Sequence, residues 1–365
     1  MEGASESSGG LTRGPGTRLA HERIAMQKSF SRLAPLVVLL TVAYPHTQPA
    51  AQALPTVTQR RSAPTLSAGR PVASTHARFA SSVDLVILDV CIKDRNGGLI
   101  PGLRPKDLLI LENGIPQELL FFSPEGHLPL AVVMLLDRSA SMAGSKLDLA
   151  KAAGAAFIDV LRPGDLVEII AFSRQADRRL PLGTDRAAAR AAIAEIAPGG
   201  QTGLFEAVLI GIRDLERLER DRRPGQYRTA LVVLSDGGDT SSRVSFDQVL
   251  EDARRSGVLV YGVSLRTDER GRSLAPPFGL AQLAHDTGGW VIAAHEPASV
   301  ISIYQDIGAE LRHLYRLGYN SSNPARDGAW RPLSVRVANP EARVRARAGY
   351  YAPRGLPRFA REGKR

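Results

Sequence analysis

The stretch LAVVMLLDRSASM, residues 130–142, decides the fold that the sequence predicts. Its first seven residues are all apolar, which is typical of a strand covered on both faces, as in a parallel sheet. The run ends in Asp137, and Ser139 and Ser141 follow at every second position. Short oxygen-bearing side chains spaced in this way beyond a strand end can point to one spot. We therefore expect a binding site at the end of this strand.

Strand-like and helix-like segments alternate after this stretch. Further strands are predicted at residues 166–172, 229–234, 258–264 and 290–294, and helices at residues 146–161, 185–196, 204–218, 246–255, 280–286 and 298–315. This alternation predicts an α/β domain over residues 129–315, with a doubly wound, mostly parallel sheet and helices on both faces.

Two shorter β-rich segments flank this domain. Residues 82–124 contain three strand-like runs with turn residues between them and no crossover helix, a pattern typical of antiparallel hairpins. Residues 316–352 are also strand-like. Neither segment has enough apolar residues for a core of its own. We expect the two to combine into one small β-sandwich-like unit beside the α/β domain.

The N-terminal 53 residues have the pattern of an extension and a secretory signal peptide. A short basic region precedes an apolar core of 11 residues, 33–43, and Ala51-Gln-Ala53 matches a cleavage site. This core is too short for a membrane span, which needs about 20 residues. We expect a secreted, periplasmic or cell-envelope protein with no stable span in the mature chain. An uncleaved anchor is the alternative, and Met26 is a candidate start. Residues 54–81, rich in Pro, Ser and Thr, predict a flexible linker.

The net charge and the cysteine count bear on two questions, whether the protein binds nucleic acid and whether it contains a disulfide. The formal net charge is +10, but no nucleic-acid-binding module is recognisable, so we expect no nucleic-acid partner. The densest basic stretch begins at Arg343 and includes a basic tail at residues 353–365, and we expect its charges to be solvated. Cys91 is the only cysteine, so no internal disulfide can form, and we expect a buried, inert thiol.

Oxygen-bearing side chains follow the predicted strands at three places. They are DRSAS after the first strand, GGQTG at residues 199–203 before a helix, and SDGGDT at residues 235–240 after another strand. Ligands of such sheets bind outside the carboxyl ends of the strands. Each piece alone is also typical of a helix cap or turn. Their conjunction favours a site for a hard divalent cation, Mg²⁺, Mn²⁺ or Ca²⁺, because all the donors are oxygens.

In combination, these three pieces resemble the von Willebrand factor type A (VWA) domain and its metal-ion-dependent adhesion site. The resemblance covers residues 129–315. It implies that Ser139, Ser141 and Thr202 bind the ion directly, and that Asp137 and Asp236 complete the shell directly or through water. Asp239 has no position in that motif.

The flanks resemble a narrower family of exported bacterial proteins called VWFA-related. The N-terminal flank carries Asp94-x-x-Gly-x-x-Ile-Pro-Gly-Leu and Glu112-Asn-Gly-x-Pro-Gln. The C-terminal flank carries YRLGYN, WRPLSVRV and RVRARAGYY, which begin at residues 315, 330 and 343.

These features lead to the expectation of a non-enzymatic, adhesion-type module that binds an Asp or Glu of a protein partner through the cation. One alternative is a Mg²⁺-dependent phosphoryl-transfer enzyme. Ser139 stands where a phosphatase would need a second acid, and the chain has no phosphate-binding loop of the Gly-x-x-x-x-Gly-Lys type. The other alternative is a structural envelope protein with a vestigial site. The sequence leaves the oligomeric state open.

Overall fold

The computed structural model describes residues 85–124, 128–222, 225–268, 270, 272–294 and 297–355. The predicted signal peptide, the linker and residues 356–365 of the basic tail lie outside these residues. The strands are β1 (Leu85–Lys93), β2 (Leu108–Glu112), β3 (Ile115–Gln117), β4 (Leu119–Ser123), β5 (Leu130–Asp137), β6 (Leu166–Phe172), β7 (Ala176–Gly183), β8 (Arg228–Ser235), β9 (Leu259–Ser264), β10 (Val291–Ala293), β11 (Tyr315–Asn320), β12 (Trp330–Val337), β13 (Arg343–Arg345) and β14 (Gly349–Tyr351). The α-helices are α1 (Ser145–Val160), α2 (Arg186–Ala194), α3 (Leu204–Asp221), α4 (Phe246–Ser256), α5 (Phe278–Thr287) and α6 (Pro297–Arg312).

The central sheet has six strands in the order β10-β9-β8-β5-β6-β7. All neighbouring strands are parallel except β7, which is antiparallel to β6. The predicted α/β class, doubly wound and mostly parallel, is therefore confirmed. The chain leaves β5 toward β6 on one side and later returns to β8 on the other. The carboxyl ends of β5 and β8 thus form a switch point, where ligands of such sheets bind.

Helices cover both faces of this sheet, and β5 supplies side chains to both. Val132, Met134 and Leu136 pack into the core under α1, α2 and α6. Val133 and Leu135 pack into the core under α3, α4 and α5. This two-sided burial explains why β5 is apolar at every position before Asp137.

Strand β7 was not predicted from the sequence. It reads ADRRLPLG, so its apolar residues are few and it contains Pro181. The strand lies at the sheet edge, where its register against β6 is irregular around this proline. Edge strands tolerate proline and charged residues because one side of the backbone needs no partner.

The two flanks form two antiparallel sheets, with strand orders β13-β1-β11-β4 and β14-β12-β2-β3. Each sheet contains strands from both flanks, and the side chains of both contribute to one hydrophobic core. This agrees with the predicted sandwich-like unit. The hairpin expectation is wrong for β1, which pairs with β11 and β13 instead of β2. The third predicted strand is split into β3 and β4, one in each sheet.

The last helix is shorter than predicted. It ends at Arg312, and Tyr315 begins β11. Leu314 and Tyr315 are buried although they lie beyond the helix. Their apolar side chains extend the helical spacing in the sequence, and the prediction therefore placed the helix end at residue 315. Within the described residues, no helix is both long and apolar enough to cross a membrane.

Buried charges join the sandwich to the α/β domain. The Asp89 carboxylate of β1 accepts hydrogen bonds from Arg316 at 2.8 and 2.9 Å and from Arg228 of β8 at 3.2 Å. Arg228 also donates to the carbonyl oxygens of Leu311 and Leu314, at 2.6 and 2.8 Å. The junction therefore holds both strand β1 and the end of α6.

The structure confirms the expected burial of Cys91 but not the expected solvent exposure of two arginines in the C-terminal basic stretch. Cys91 is buried as predicted, and this burial raises the pKa of its thiol to about 12, so the thiol stays protonated at neutral pH. The expectation of solvated charge is wrong for Arg345 and Arg347. Arg345 forms an ion pair with the buried Glu310, and Arg347 donates to the carbonyl oxygens of Gly349 and Arg254.

Candidate metal centre

Three loops meet at the switch point, at the carboxyl ends of β5 and β8. The first begins at Asp137, the last residue of β5, and continues into a short 3-10 helix, Ala140–Met142. The second, residues 199–203, leads into α3. The third begins at Asp236, directly after β8. All five predicted ligands lie on these loops.

Hydrogen bonds connect each loop to the other two. The Ala140 amide donates to the Gly200 carbonyl at 2.9 Å, which joins the first loop to the second. The Thr240 amide donates to the Thr202 carbonyl at 2.8 Å, which joins the third to the second. The Ser141 hydroxyl donates to Asp236 Oδ1 at 2.8 Å and closes the triangle. The structure therefore brings the predicted loops together.

Asp137 is fully buried at the centre of this arrangement. Its Oδ1 accepts from the Ser139 amide at 2.8 Å, and its Oδ2 accepts from the Ser235 hydroxyl at 2.5 Å. Burial raises the pKa of Asp137 in spite of these hydrogen bonds, and the nearby Asp236 carboxylate acts in the same direction. A buried carboxylate of this kind is stabilised by a nearby positive charge.

Ser139, Ser141 and Asp236 form a continuous row of oxygens. The Ser139 and Ser141 hydroxyl oxygens are 3.2 Å apart, and Ser141 bonds to Asp236. Lys146, in the first turn of α1, forms an ion pair with the other Asp236 oxygen, Oδ2. The chain therefore already places one cationic group against the carboxylate of the third loop.

Thr202 is buried, and its backbone is held from two sides. Its carbonyl accepts from Thr240 and Ser241, and its amide donates to Thr240 Oγ1 at 3.0 Å. Its hydroxyl makes no hydrogen bond to another residue in the described part of the chain, so it is available as a ligand. Gly203 permits this position, because a Cβ there would lie 3.0 Å from the Ser173 carbonyl oxygen.

The donor set fits a hard divalent cation. Two carboxylates, Asp137 and Asp236, and three hydroxyls supply only oxygen atoms, which suit Mg²⁺, Mn²⁺ or Ca²⁺. No group of three or more His, Cys, Asp or Glu residues within the described ranges could hold a metal ion. Any coordination shell at this place therefore needs oxygen donors besides the two carboxylates, and the hydroxyls of Ser139, Ser141 and Thr202 are the candidates.

Three residues outside the predicted ligand set contact or support the candidate site. Ser235 orients Asp137, and Lys146 pairs with Asp236. Asp239 accepts from the Phe205 amide at 3.1 Å and so caps the start of α3. Ser235 and Asp239 belong to the SDGGDT segment, so the sequence pointed to them. The position of Lys146 depends on the direction of the first turn of α1, which the sequence pattern does not give.

The fold and the three loops define an α/β domain with a candidate ligand site at the switch point of a mostly parallel sheet. The family profile of the von Willebrand factor type A domain matches residues 131–328. The chain belongs to this family.

Among curated proteins, the human inter-alpha-trypsin inhibitor heavy chain H4 is 28% identical over 199 residues, which are 52% of this chain and 21% of that protein. The chain thus spans only about a fifth of this relative's length. A solved structure, the von Willebrand factor type A protein from Catenulispora acidiphila, has 14% identity, a TM-score of 0.44 and 75% coverage of both chains. Proximal thread matrix protein 1 from the mussel byssus, solved with a zinc-occupied MIDAS motif, has 14% identity and a TM-score of 0.40, with 52% of this chain and 49% of that chain covered.

Proposed function

We propose that this chain is a metal-dependent protein-binding module, with a binding rather than a catalytic role, at the cell envelope or outside the cell. Membership of the VWA family and the oxygen donors at the switch point support the binding role. The predicted signal peptide supports the location. The partner that the site fits is a protein that presents an Asp or Glu side chain.

Five side chains are the proposed ligands: Ser139, Ser141 and Thr202 as direct ligands, with Asp137 and Asp236 completing the shell directly or through water. A bound Mg²⁺, Mn²⁺ or Ca²⁺ would supply the positive charge that attracts and orients a partner carboxylate. Burying a carboxylate without such a charge costs several kcal/mol.

The protein groups around the ligands hold them in place. The Ser139 amide and the Ser235 hydroxyl orient the two oxygens of Asp137. The hydrogen bond from Ala140 to Gly200 keeps the first and second loops together. Side chains that are fixed in this way lose little conformational entropy when a ligand binds.

One observation carries the proposal: three loops distant in sequence are joined to one another by hydrogen bonds around a fully buried carboxylate, Asp137. Ordinary helix capping does not require this convergence, because a cap needs only one side chain and the amides of its own helix.

Titration calorimetry with Mn²⁺ and Mg²⁺ on the purified full chain tests the site. We expect one divalent ion per chain, and we expect Asp137→Asn to lower the affinity by about tenfold or more, since it removes an anionic oxygen. Asp159→Asn is the matched control, because Asp159 is an exposed carboxylate of α1 that pairs with Arg190. Equal affinity in wild type and Asp137→Asn would contradict the proposal.

The binding role has a separate test. Immobilised wild-type chain is incubated with envelope extract in Mg²⁺ or in EDTA, and in parallel with Asp137→Asn. We expect a partner that is retained only by the wild type with the ion. Mg²⁺-dependent hydrolysis of a phosphate ester that is abolished in Asp137→Asn would favour the phosphoryl-transfer alternative instead.

A further inference from the structure

Three phenylalanines form an aromatic patch, defined as Phe205, Phe246 and Phe278, in which Phe278 is exposed and the other two are partly buried. The ring centroids of Phe205 and Phe246 are 5.5 Å apart, and those of Phe246 and Phe278 are 6.3 Å apart. Phe278 is 76% exposed, the highest value for a large apolar side chain in the part of the chain that the structure describes. The patch is therefore a layer of rings that ends in a ring facing solvent.

The backbone beneath the patch is closely packed. A Cβ at Gly279 would lie 3.1 Å from the Phe205 ring and 3.3 Å from the Phe246 ring. The start of α5 therefore rests directly on these two rings, and Phe278 is held beside them. The exposed ring belongs to a packed cluster and is not an isolated side chain on a surface loop.

The aromatic patch adjoins the candidate metal centre. Phe205 is the second residue of α3, three positions after the proposed ligand Thr202, and its amide donates to Asp239 in the third loop at 3.1 Å. Pro277, directly before Phe278, lies 4.0 Å from the Cβ position of Gly238 in the same loop. The residues that carry the patch thus lie beside the second and third loops of the site.

A single exposed apolar residue is ordinary on a protein surface. Here the most exposed ring lies in a cluster of three that adjoins a site suited to a carboxylate. Interfaces commonly combine buried aromatic anchors with a few polar groups that fix orientation. The patch can supply the apolar part of such an interface, and the metal centre can supply the polar part.

We propose that the aromatic patch binds a large apolar or aromatic side chain of the same partner segment whose Asp or Glu reaches the metal centre. This inference rests on the proposed function and specifies the partner: a peptide segment with an acidic residue and a large apolar residue close to it. The positive charge of a bound cation would select the acidic residue, and the proximity of patch and site requires the apolar residue to be nearby.

An array of short synthetic peptides tests this specificity. Each peptide carries a fixed central glutamate, with the flanking positions varied through all residue types, and the array is probed with the full chain in Mg²⁺ or EDTA. We expect metal-dependent binding that favours Phe, Tyr, Trp, Leu or Met at a flanking position. In Phe278→Ser this preference should disappear, and the favoured peptides should bind about tenfold more weakly.

Two controls separate the patch from the metal site and from general surface apolarity. Mn²⁺ affinity of Phe278→Ser should equal that of the wild type, because Phe278 contributes no oxygen to the site. Ile115→Ser removes another exposed apolar side chain, 57% exposed and located in β3 of the sandwich. This variant should keep both the binding strength and the apolar preference.

The outcomes that would contradict this inference differ from those that would contradict the proposed function. Metal-dependent binding of glutamate peptides without any apolar preference, or with the same preference in Phe278→Ser, would overturn this inference and leave the proposed function intact. A wild type that binds Mn²⁺ but no glutamate peptide would overturn both. Metal-independent self-association that Phe278→Ser abolishes in sedimentation would identify a second copy as the occupant and would also overturn the inference.

Discussion

At the scale of single residues, Lys146 places a positive charge beside one of the two carboxylates of the candidate site. Its ammonium group forms an ion pair with Asp236, a proposed ligand, and its side chain is 33% exposed. A cation that binds at Asp236 must compete with this ammonium or displace it. We therefore expect Lys146 to lower the affinity of the proposed site for divalent ions.

Replacing Lys146 with methionine tests this competition. We expect Lys146→Met to raise the affinity for Mg²⁺ by about an order of magnitude, or ~1.4 kcal/mol, because a like charge is removed from beside the ligand. Titration calorimetry measures the change. Lys151→Met is the matched control on the same helix, since Lys151 donates to the Ala194 carbonyl instead of to a site residue. A lower affinity in Lys146→Met would show that the lysine mainly orients Asp236.

Asp239 connects the third loop of the candidate site to the start of α3. Its carboxylate accepts from the Phe205 amide and from the Ser242 amide and hydroxyl. It thus joins the third loop to the helix that follows Thr202, and its negative charge lies at a helix N-terminus, where it is favourable.

We expect Asp239→Ala to lower the free energy of unfolding by about 1 kcal/mol, which is typical for the loss of a helix cap. Affinity for Mn²⁺ should also fall, because the second and third loops lose a connection. Asp185→Ala removes the cap of α2, where Asp185 accepts from the Ala188 amide at 2.9 Å. It should cost similar stability in urea unfolding with no change in Mn²⁺ affinity. Unchanged Mn²⁺ affinity in Asp239→Ala would show that the connection does not support the site.

At the scale of elements, α6 is held at its C-terminal end by buried charges. Arg312 forms an ion pair with Asp165, whose Oδ1 also accepts from the Leu130 amide at 2.9 Å at the start of β5. Arg228 holds the carbonyl oxygens of Leu311 and Leu314. The helix then continues directly into β11 of the sandwich. The sandwich and the α/β domain are thus joined through the same element.

The junction around Asp89 should therefore be a main determinant of stability. Asp89→Asn leaves Arg228 and Arg316 buried without their carboxylate, which we expect to cost about 3 kcal/mol of unfolding free energy. Urea unfolding followed by circular dichroism measures the loss. Glu341→Gln is the control, since the Arg95–Glu341 pair is solvent-exposed and should contribute little. Loss of stability no greater than in the control would mean that the junction is energetically neutral.

At the scale of the whole molecule, four buried carboxylates with lowered pKa values contribute to the response to acid. Burial alone would raise the pKa of Asp89, Glu112, Asp165 and Glu310. Hydrogen bonds and the charges of their arginine partners outweigh this effect and hold each pKa below its usual range. The folded state therefore binds fewer protons at these groups than the unfolded state.

This difference predicts a loss of stability in acid. The stabilisation is fully present above the unfolded carboxyl pKa values of about 4, and it is lost as the pH falls through the lower folded values. We expect the contribution of these four groups to the unfolding free energy, measured by urea titrations at a series of pH values, to fall steeply below about pH 4. The fall should be shallower in Asp89→Asn, which lacks one of the four groups. Equal pH dependence in both proteins would contradict the assignment.

The sequence by itself determined the α/β class, the order of most elements and the three loops of the candidate site. These features depend on local patterns: the apolar run of β5, the helical spacing of apolar residues and the oxygen-bearing residues after strand ends. The tertiary structure alone decided which strands pair. Asp89 and Arg316 are 227 residues apart in the chain, and β1 lies beside β11 instead of its sequence neighbour β2.

Edge strand β7, the Lys146 ion pair and the aromatic patch also required the tertiary structure. A strand at a sheet edge needs no continuous apolar pattern, so β7 resembles a loop in sequence. Lys146, Phe205, Phe246 and Phe278 belong to different helices, and nothing in the local sequence states that their ends meet at one rim. Local periodicity reports how each residue is buried within its own element, whereas contacts between elements depend on how the whole chain closes around its core.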